Sequence, residues 1–261
     1  MPGRRAAVEV TNRAAPPAGL PRHAMVMAAG FGRRMRPITN TLPKPLIEVA
    51  GRSLLDRAID RLADAGVENV VVNTHHLGHL IEQHVRHRKD PKIRVSPEPN
   101  QILDTGGGVA NALPMLGDGP FFVVNGDSMW LDGYEPALWR MWRQWDDANM
   151  DALLLANSTV TAFGYTGRGD FLMDPLGRVS RRHECEDSPY LFTGIQILHP
   201  RLFEGCPDGA FSLNVLYNKA GEAGRLFGLV HDGEWFHVGT PDGLAEAESY
   251  LTERWPESRR R

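Results

Sequence analysis

Residues 24–46 read AMVMAAGFGRRMRPITNTLPKPL, a stretch in which an apolar run is followed by glycines and then by basic residues. Its first six residues are apolar or small, which is typical of a buried β-strand. Gly30 and Gly32 follow at once, and glycine allows backbone conformations and close ligand approach that other residues do not. Arginines and a lysine come next. The stretch therefore predicts a buried strand that runs into a cationic loop.

The composition of this loop favours phosphate as its ligand. Backbone N–H groups of a glycine-rich loop bind phosphate oxygens, and guanidinium groups match phosphate geometry. Arg33, Arg34 and Arg36 supply the guanidinium groups, and Lys44 stands between two prolines that stiffen its backbone. A P-loop needs Gly-Lys-Ser/Thr here, and a dinucleotide-binding loop needs a third glycine where Met35 stands. A plain strand-to-helix turn remains the alternative for Gly-x-Gly alone.

The bulk composition narrows the class of protein. The chain has 261 residues, of which 42% are hydrophobic and 23% charged, as in one large α/β domain or two small ones. A net charge of -3 gives no global basic field for nucleic acid, and no apolar run approaches the roughly 20 residues of a membrane helix. The two cysteines form no CxxC pair, which argues against structural zinc and a disulfide framework. A cytoplasmic enzyme without nucleic-acid or membrane partners is the expectation.

The chain organisation indicates a layered α/β domain. Residues 1–22 are rich in Ala, Pro, Gly and Arg and are predicted to be a mobile tail, which leaves 23–261 as a single domain. Helices are predicted after Ser53 and at 77–85. Buried strands are predicted at 24–29, 69–73, 92–96 and 119–127. This alternation favours a three-layer, mostly parallel sheet whose ligands lie beyond the carboxyl ends of its strands.

The second half of the chain has shorter predicted elements than the first. It contains a predicted hairpin that turns at Pro175-Leu176-Gly177, two short strands within 225–241, and a closing helix. These shorter elements are expected to form a lobe that covers the same edge of the sheet.

Several motifs of this chain resemble those of one enzyme family. AAGFGRRMRPITNTLPKPL resembles the signature of the sugar-1-phosphate nucleotidylyltransferases, also called nucleotide-sugar pyrophosphorylases. The likeness continues in DTGGGVANALPMLGD, FFVVNGD, GRGDF, FTGIQILHPRLFEGC, GAFSL and EWFHVGTPDGLAEAES, and covers residues 23–251. It implies a Rossmann-like αβα fold of the nucleotide-diphospho-sugar transferase type, with a mostly parallel, mixed sheet. The nucleotide-binding half would be about 23–130, and 131–261 would carry a small β-rich sugar-binding lobe.

The resemblance also implies a reaction. A nucleoside triphosphate and a sugar-1-phosphate give an NDP-sugar and pyrophosphate, and the phosphate nucleophile is already ionised, so catalysis rests on positioning and charge stabilisation. Within the family the motifs look most similar to members that use UTP and N-acetylmuramate-1-phosphate in peptidoglycan recycling. A guanylyltransferase acting on mannose- or heptose-1-phosphate is the nearest alternative. A non-catalytic nucleotide-sugar-binding paralogue is an alternative of another class.

The matching positions imply roles for single residues. Arg34 would stabilise the departing pyrophosphate, Lys44 would contact the α-phosphate or sugar phosphate, and Asp127 would hold Mg²⁺. Nucleotide binding is assigned to Ala28, Ala29, Gly30, Gly32, Arg33, Asn73, Thr105, Gly106, Gly107 and Asn125. Thr105, Gly106 and Gly107 resemble a turn that reads the base, whereas Asn73 could equally cap the end of a strand.

The sugar side of the predicted site carries fewer signals. The residues assigned to it by resemblance are Gly169, Asp170, Thr193 and Gly194. Asp170 could equally cap the predicted hairpin. Many relatives carry a Glu-Lys-Pro segment where this chain has SRRHECED at 180–187. Arg181 or Arg182 could bind the sugar phosphate there, although a solvated charge run is the alternative.

One departure from the family pattern concerns the metal. Relatives read Trp-x-Asp-x-Gly-Thr where this chain has WFHVGT at 235–240, so His237 replaces an aspartate that is a second Mg²⁺ ligand. Imidazole suits Mn²⁺ better than the hard Mg²⁺ ion. Asp127 with phosphates and waters could hold Mg²⁺, the preference could have moved to Mn²⁺, or turnover could be lost. We favour the first, because Mg²⁺ sites often use one or two carboxylates. Monomer and small homo-oligomer both remain open.

Overall fold

Helices and strands alternate along the first half of the chain, as the hydrophobic pattern predicts. The computed structural model of the protein describes residues 15–254. Its strands are β1 His23–Met27, β2 Glu48–Val49, β3 Arg52–Ser53, β4 Asn69–Thr74, β5 Lys92–Pro97, β6 Phe121–Asn125, β7 Ser128–Leu131, β8 Ala152–Ser158, β9 Phe171–Met173, β10 Val179–Arg181, β11 Tyr190–Leu198, β12 Leu226–Val230 and β13 Glu234–His237. Its helices are α1 Leu54–Ala65, α2 Gly78–Val85, α3 Asp104–Ala112, α4 Ala137–Gln144, α5 Leu213–Glu222 and α6 Pro241–Arg254.

The main sheet is mixed around a parallel centre. Its path is β10-β9-β11-β6-β1-β4-β5, and β8 joins it by pairing with β11 and β12. Strands β6, β1, β4 and β5 are parallel, and β11 runs antiparallel to both β6 and β8. The predicted parallel α/β sheet is confirmed, and the antiparallel β11 attaches the second half of the chain to it.

Helices cover both faces of this sheet. Successive side chains of a strand point to opposite faces, so neighbouring residues of one strand belong to different cores. Val26 and Val124 belong to the core beneath α1, α2 and α4. Met25 and Val123 belong to the core beneath α3 and α5. All four residues are fully buried, so both faces of the centre are covered and the predicted three-layer arrangement is confirmed.

Helix α1 begins and ends where its sequence predicts. The Ser53 hydroxyl accepts a hydrogen bond from the Asp56 N–H at 3.0 Å, which satisfies one of the free amides of the first turn. Gly66 ends the helix in the left-handed region, with φ of 106°. Within residues 15–254, neither α1 nor any other helix is long and apolar enough to cross a membrane.

The segment before β1 packs on the domain. The Trp142 indole N–H donates to the Ala18 carbonyl at 2.9 Å, and Leu20 is 9% exposed. The predicted mobile tail spans residues 1–22, of which 1–14 lie outside the described residues. Residues 15–22 of the predicted tail contact the domain, because the Trp142 side chain on α4 binds the Ala18 carbonyl. Composition alone does not reveal this contact.

The second half supplies the predicted hairpin and a separate small core. The hairpin of β9 and β10 closes with a hydrogen bond from the Gly177 N–H to the Asp174 carbonyl at 3.0 Å. Strand β13 pairs with β7 outside the main sheet. Phe236 of β13 and Leu251 of α6 pack in one core with Met35 from the Gly-Arg loop, which comprises residues 30–40. The end of the domain therefore lies against the loop that follows β1.

Candidate active site

A cleft of about 350 Å³ opens at the carboxyl ends of the central strands. The strand register places Met27 beside Asn73 on one side and beside Asn125 on the other. Predicted residues that line the cleft are Ala28, Ala29, Gly30, Gly32, Arg33, Arg34, Lys44, Asn73, Thr105, Asn125 and Asp127. Lining residues that were not assigned to the site from the sequence are Met27, Pro45, Ile102, Asp104, Gly126 and Gly239.

The Gly-Arg loop is held in shape by its own contacts. Gly32 has a φ of 60°, and its carbonyl accepts a hydrogen bond from the Thr39 hydroxyl at 2.9 Å. A Cβ at Gly32 would lie 2.9 Å from the Thr39 methyl carbon and 3.0 Å from the Lys44 Cβ. Glycine is therefore required at position 32 by both conformation and space. Gly30 has open space instead, because a Cβ there would have nothing within 4 Å, and it leaves room for a ligand.

Lys44 and Asp127 form an ion pair inside the cleft. Lys44 begins a short 3₁₀ turn after the extended Pro43, and its Nζ donates to Asp127 Oδ2 at 2.5 Å. The lysine side chain is 10% exposed and the aspartate side chain 37% exposed. The Gly126 N–H donates to the Met27 carbonyl at 2.9 Å, which fixes the turn that carries Asp127. A polyphosphate in the cleft would compete with Asp127 for the lysine.

The residues present fit a divalent ion held by one carboxylate. Asp127 is a hard oxygen donor on the cleft wall, and Mg²⁺ commonly binds to one or two carboxylates while keeping substrate phosphate and water oxygens. Residues 15–254 contain no cluster of three or more His, Cys, Asp or Glu side chains arranged to hold a metal. Asp127 would therefore share such an ion with the substrate.

His237 contacts an arginine of the Gly-Arg loop. Its Nε2 lies 3.4 Å from an Nη atom of Arg34, and its Nδ1 lies 3.1 Å from the Gly164 carbonyl oxygen. The neighbouring Tyr165 ring meets the imidazole edge-on, with ring centroids 6.0 Å apart. Burial, with a smaller effect of the Asp170 carboxylate, raises the pKa of Tyr165 above its usual value. The phenol therefore stays neutral beside this histidine.

Asn73 is buried in a network that joins the end of β4 to two loops at the cleft. Its Oδ1 accepts a hydrogen bond from the Ala28 N–H, and its Nδ2 donates to Glu98 Oε1, both at 2.7 Å. Glu98 Oε2 accepts from the Leu103 N–H at 2.7 Å. Asn73 thus lines the cleft and also fixes the backbone after β1, and its contact with a nucleotide stays a prediction. Glu98 was not singled out from the sequence, because one acidic residue after a strand is a weak signal.

The predicted base-reading turn is the first turn of helix α3. The Gly106 and Gly107 N–H groups donate to the Phe211 carbonyl at 2.8 and 3.1 Å, and neither glycine lines the cleft. The Thr105 hydroxyl accepts from the Leu213 N–H at 2.9 Å. These two amides are already engaged by the protein. The glycines let the 209–213 segment approach the helix closely.

Asp104, the first residue of helix α3, has an unusual backbone. Its φ is 57°, a left-handed conformation that side-chain-bearing residues rarely adopt. Its Oδ1 accepts a hydrogen bond from the Thr105 N–H at 2.6 Å, which is one reason why aspartate tolerates this region. Asp104 lines the same cleft as Arg33 and Arg34. Its positive φ cannot be read from composition.

Of the predicted sugar-binding residues, Gly169 and Asp170 lie at the start of the hairpin. Gly169 has a φ of 74°, and a Cβ there would lie 2.3 Å from the Ser188 carbonyl oxygen. Asp170 Oδ2 accepts a hydrogen bond from the Phe192 N–H at 2.8 Å. Neither residue lines the cleft. The Asp170 side chain therefore binds the backbone of β11 rather than the hairpin, and its assignment to the sugar stays a prediction.

Thr193 and Gly194 lie at an irregularity in β11, closer to the cleft. Thr193 is buried and its hydroxyl donates to the Leu155 carbonyl at 2.6 Å. A Cβ at Gly194 would lie 2.7 Å from the Asn125 side-chain nitrogen, so this glycine packs directly against a cleft residue. Gly194 borders the site through Asn125, whereas the Thr193 hydroxyl is already used inside the fold.

Arg182 organises the segment that replaces Glu-Lys-Pro. Its Nε donates to the Gly169 carbonyl at 2.7 Å. One of its Nη atoms lies 3.0, 3.1 and 3.2 Å from the carbonyl oxygens of His183, Glu184 and Glu186. The guanidinium therefore binds backbone carbonyl groups of this segment instead of being a freely solvated charge, and a contact with the sugar phosphate stays a prediction.

Comparison with known proteins defines the class of protein. A model of the nucleotidyl transferase family matches residues 23–254. The chain is 41% identical over 237 residues to N-acetylmuramate alpha-1-phosphate uridylyltransferase of Caulobacter vibrioides, covering 89% of this chain and 98% of that protein. It is 35% identical over 230 residues to the protein of the same name from Neisseria meningitidis serogroup B, covering 87% and 96%. The chain therefore belongs to the nucleotidyl transferase family.

Structural comparison agrees on the fold. UDP-glucose pyrophosphorylase in complex with UDP-glucose matches with a TM-score of 0.70, covering 89% of this chain and 99% of that one, at 18% identity. This identity supports the fold alone. The predicted nucleotide-diphospho-sugar transferase fold and the resemblance to sugar-1-phosphate nucleotidylyltransferases are both confirmed.

Proposed function

We propose that the protein transfers the uridylyl group of UTP to N-acetylmuramate-1-phosphate and releases pyrophosphate. The observation that carries this proposal is that two relatives, matched over nearly their whole length, bear the name of this activity. The product would be a UDP-linked N-acetylmuramate for peptidoglycan recycling. We propose the cytoplasm as its location, because nucleoside triphosphates are held there.

The proposed reaction is an in-line displacement at phosphorus. An oxygen of the sugar-1-phosphate forms a bond to the α-phosphorus of UTP, while the bond from that phosphorus to the oxygen between the α- and β-phosphorus atoms breaks. This oxygen leaves with the β- and γ-phosphates as pyrophosphate. The nucleophile is ionised near neutral pH, so the site needs orientation and positive charge rather than a general base. The cleft fits this requirement, since Arg33, Arg34 and Lys44 line it together.

The residues of the cleft would divide the substrate between them. Gly30 and Gly32 would allow the triphosphate to approach the loop backbone, and Arg34 would carry the charge that grows on the leaving pyrophosphate. Lys44 would exchange its bond to Asp127 for one to a phosphate. Asp127 would hold Mg²⁺, or Mn²⁺ in its place, and the bound ion would neutralise phosphate charge.

A pyrophosphate-release assay tests the activity. UTP, GTP, CTP, dTTP and ATP are each combined with N-acetylmuramate-1-phosphate, mannose-1-phosphate, a heptose-1-phosphate and glucose-1-phosphate, in Mg²⁺ and separately in Mn²⁺. We expect one dominant signal, with UTP and N-acetylmuramate-1-phosphate. A dominant signal with GTP and mannose- or heptose-1-phosphate would replace the substrate pair. No signal in any combination, together with thermal stabilisation by a UDP-sugar, would identify a binding protein instead.

A further inference from the structure

The environment of His237 fixes its ring. The imidazole stacks on the Trp235 indole with an interplanar angle of 11° and ring centroids 6.0 Å apart. A Cβ at Gly239 would lie 2.2 Å from Nε2, so the ring occupies the space that glycine leaves free. The His237 N–H also donates to the Phe163 carbonyl at 2.9 Å. The protein itself therefore holds both the ring and the backbone of His237.

The hydrogen-bond partners assign the proton of this ring. The Gly164 carbonyl can only accept, so Nδ1, 3.1 Å away, carries the hydrogen. Nε2 then holds the lone pair of the neutral imidazole and accepts from the Arg34 guanidinium, which can only donate, across 3.4 Å. Both ring nitrogens therefore have protein partners, and coordination of a cation by Nε2 would require Arg34 to move away.

We propose that His237 is a positioning residue that holds the Arg34 guanidinium at the cleft, instead of a metal ligand. The neutral imidazole orients the guanidinium without cancelling its positive charge, whereas a carboxylate at this position would form an ion pair with it. Arg34 therefore keeps its full charge for the phosphates. The proposal deepens the proposed function and rests on it, because it assigns how the residue at the leaving pyrophosphate is oriented.

A double-mutant cycle tests whether His237 acts through Arg34. His237→Phe keeps a stacking ring but removes both hydrogen bonds, and His237→Gln keeps an acceptor oxygen. We expect His237→Phe to lower kcat/KM for UTP about tenfold, as loss of a hydrogen bond to a charged group does, and to leave KM for the sugar phosphate unchanged. His237→Gln should retain most of the rate. In an Arg34→Ala background, His237→Phe should have no further effect.

The matched control is His79→Phe, because His79 is exposed on α2 and lies outside the cleft. It should leave the kinetics unchanged, and thermal unfolding should show that every variant is folded. A full additional loss from His237→Phe in the Arg34→Ala background would overturn the proposal. The concentration of Mg²⁺ that gives half-maximal rate is the second readout. It should be the same for wild type and His237→Phe, and a large increase would show that His237 holds the metal.

UTP affinity, measured by calorimetry in EDTA, separates this proposal from the proposed function. His237→Phe should weaken metal-free UTP binding in the wild-type background and leave it unchanged in the Arg34→Ala background. That result supports the positioning role even if no sugar phosphate is turned over. Catalysis with N-acetylmuramate-1-phosphate, combined with equal UTP affinity for wild type and His237→Phe, would sustain the function and overturn the positioning role.

Discussion

Lys44 and Asp127 are 83 positions apart in the chain, and each is the other's partner in the cleft. The roles of both residues can be predicted from the sequence, because a lysine between prolines suits phosphate binding and an aspartate after a buried strand suits metal binding. Their pairing does not follow from the sequence, since it depends on how the loop after β1 meets the turn after β6. In the absence of phosphate, the partly exposed carboxylate compensates the charge of the buried ammonium group.

Replacement of Asp127 should remove activity and leave the fold intact. Asp127→Ala deletes the carboxylate proposed to hold Mg²⁺ and leaves Lys44 without its ion-pair partner. We expect kcat to fall by about 100-fold or more, the scale seen when one electrostatic group of an active site is lost. Steady-state pyrophosphate release measures this, and circular dichroism checks the fold. Asp118→Ala is the control, because Asp118 is exposed and lies outside the cleft. Equal losses in both variants would contradict a specific role.

The backbone of Asp104 makes a second prediction about a single residue. Alanine in a left-handed conformation is strained and cannot accept the Thr105 N–H, whereas glycine adopts positive φ without strain. Asp104→Gly should therefore be more stable than Asp104→Ala by about 1 kcal/mol. Chemical denaturation of both variants gives this difference. Equal stability of the two would show that the left-handed conformation carries no cost at this position.

At the scale of elements, α1 and α3 show what sequence patterns reveal and what they miss. Helix α1 has an apolar face, a serine cap and a terminal glycine, so its bounds can be predicted. Helix α3 contains three consecutive glycines, Gly106–Gly108, which intrinsic propensity disfavours. Tertiary contacts explain why α3 has these glycines, because the 209–213 segment packs so closely against the helix that side chains would not fit there. Such contacts join residues about a hundred positions apart and leave no local signal.

Gly107 should resist even the smallest enlargement. A Cβ there would lie 2.1 Å from the Gly209 carbonyl oxygen, so Gly107→Ala should destabilise the protein by about 1–3 kcal/mol. At a helix position with free space, the same substitution would instead stabilise the protein by about 1 kcal/mol. The sign of the change in stability therefore distinguishes close packing from free space at Gly107. Gly119→Ala is the matched control, with nothing within 4 Å of its Cβ, and should change stability little. A stabilising Gly107→Ala would contradict the close packing described here.

For the whole molecule, hydrophobic periodicity predicts the sheet class but not the strand order. Each central strand is recognisable from its own sequence. The position of β11 beside β6, which joins the two halves, depends on contacts between distant segments. The same limit applies to the site. The Gly-Arg loop lies within one continuous segment and lines the cleft, whereas Gly169 and Asp170, assigned to the sugar by resemblance, do not line it.

Buried His231 should make the free energy of unfolding depend on pH. Burial lowers the pKa of His231, an effect that the nearby Asp132 carboxylate only partly opposes. The ring Nε2 lies 3.1 Å from the Leu131 carbonyl oxygen, and Nδ1 has no hydrogen-bond partner among residues 15–254. Because the pKa is lower in the folded state, the unfolded state takes up the proton first as the solution is acidified. The stability is fully present above the unfolded pKa of about 6.5 and is lost as pH falls through the folded pKa.

His231→Gln tests this dependence, because glutamine can donate to the Leu131 carbonyl but does not titrate. We expect the stability advantage of wild type over His231→Gln to shrink as pH falls from about 7.5 to about 5. Thermal unfolding at several pH values measures the difference. A difference that stays constant over this range would show that His231 does not titrate on unfolding.

The self-supporting shape of the Gly-Arg loop has a kinetic consequence. Thr39 and the 3₁₀ turns hold the loop, so a nucleotide meets a surface that needs little ordering and loses little entropy on binding. Arg33, Arg34 and Arg36 are exposed on this surface although the whole chain carries a net charge of -3. Their field attracts a polyanion from a distance, within the limits of ionic screening. Diffusional encounter, rather than rearrangement of the loop, should therefore set the rate at which the triphosphate enters.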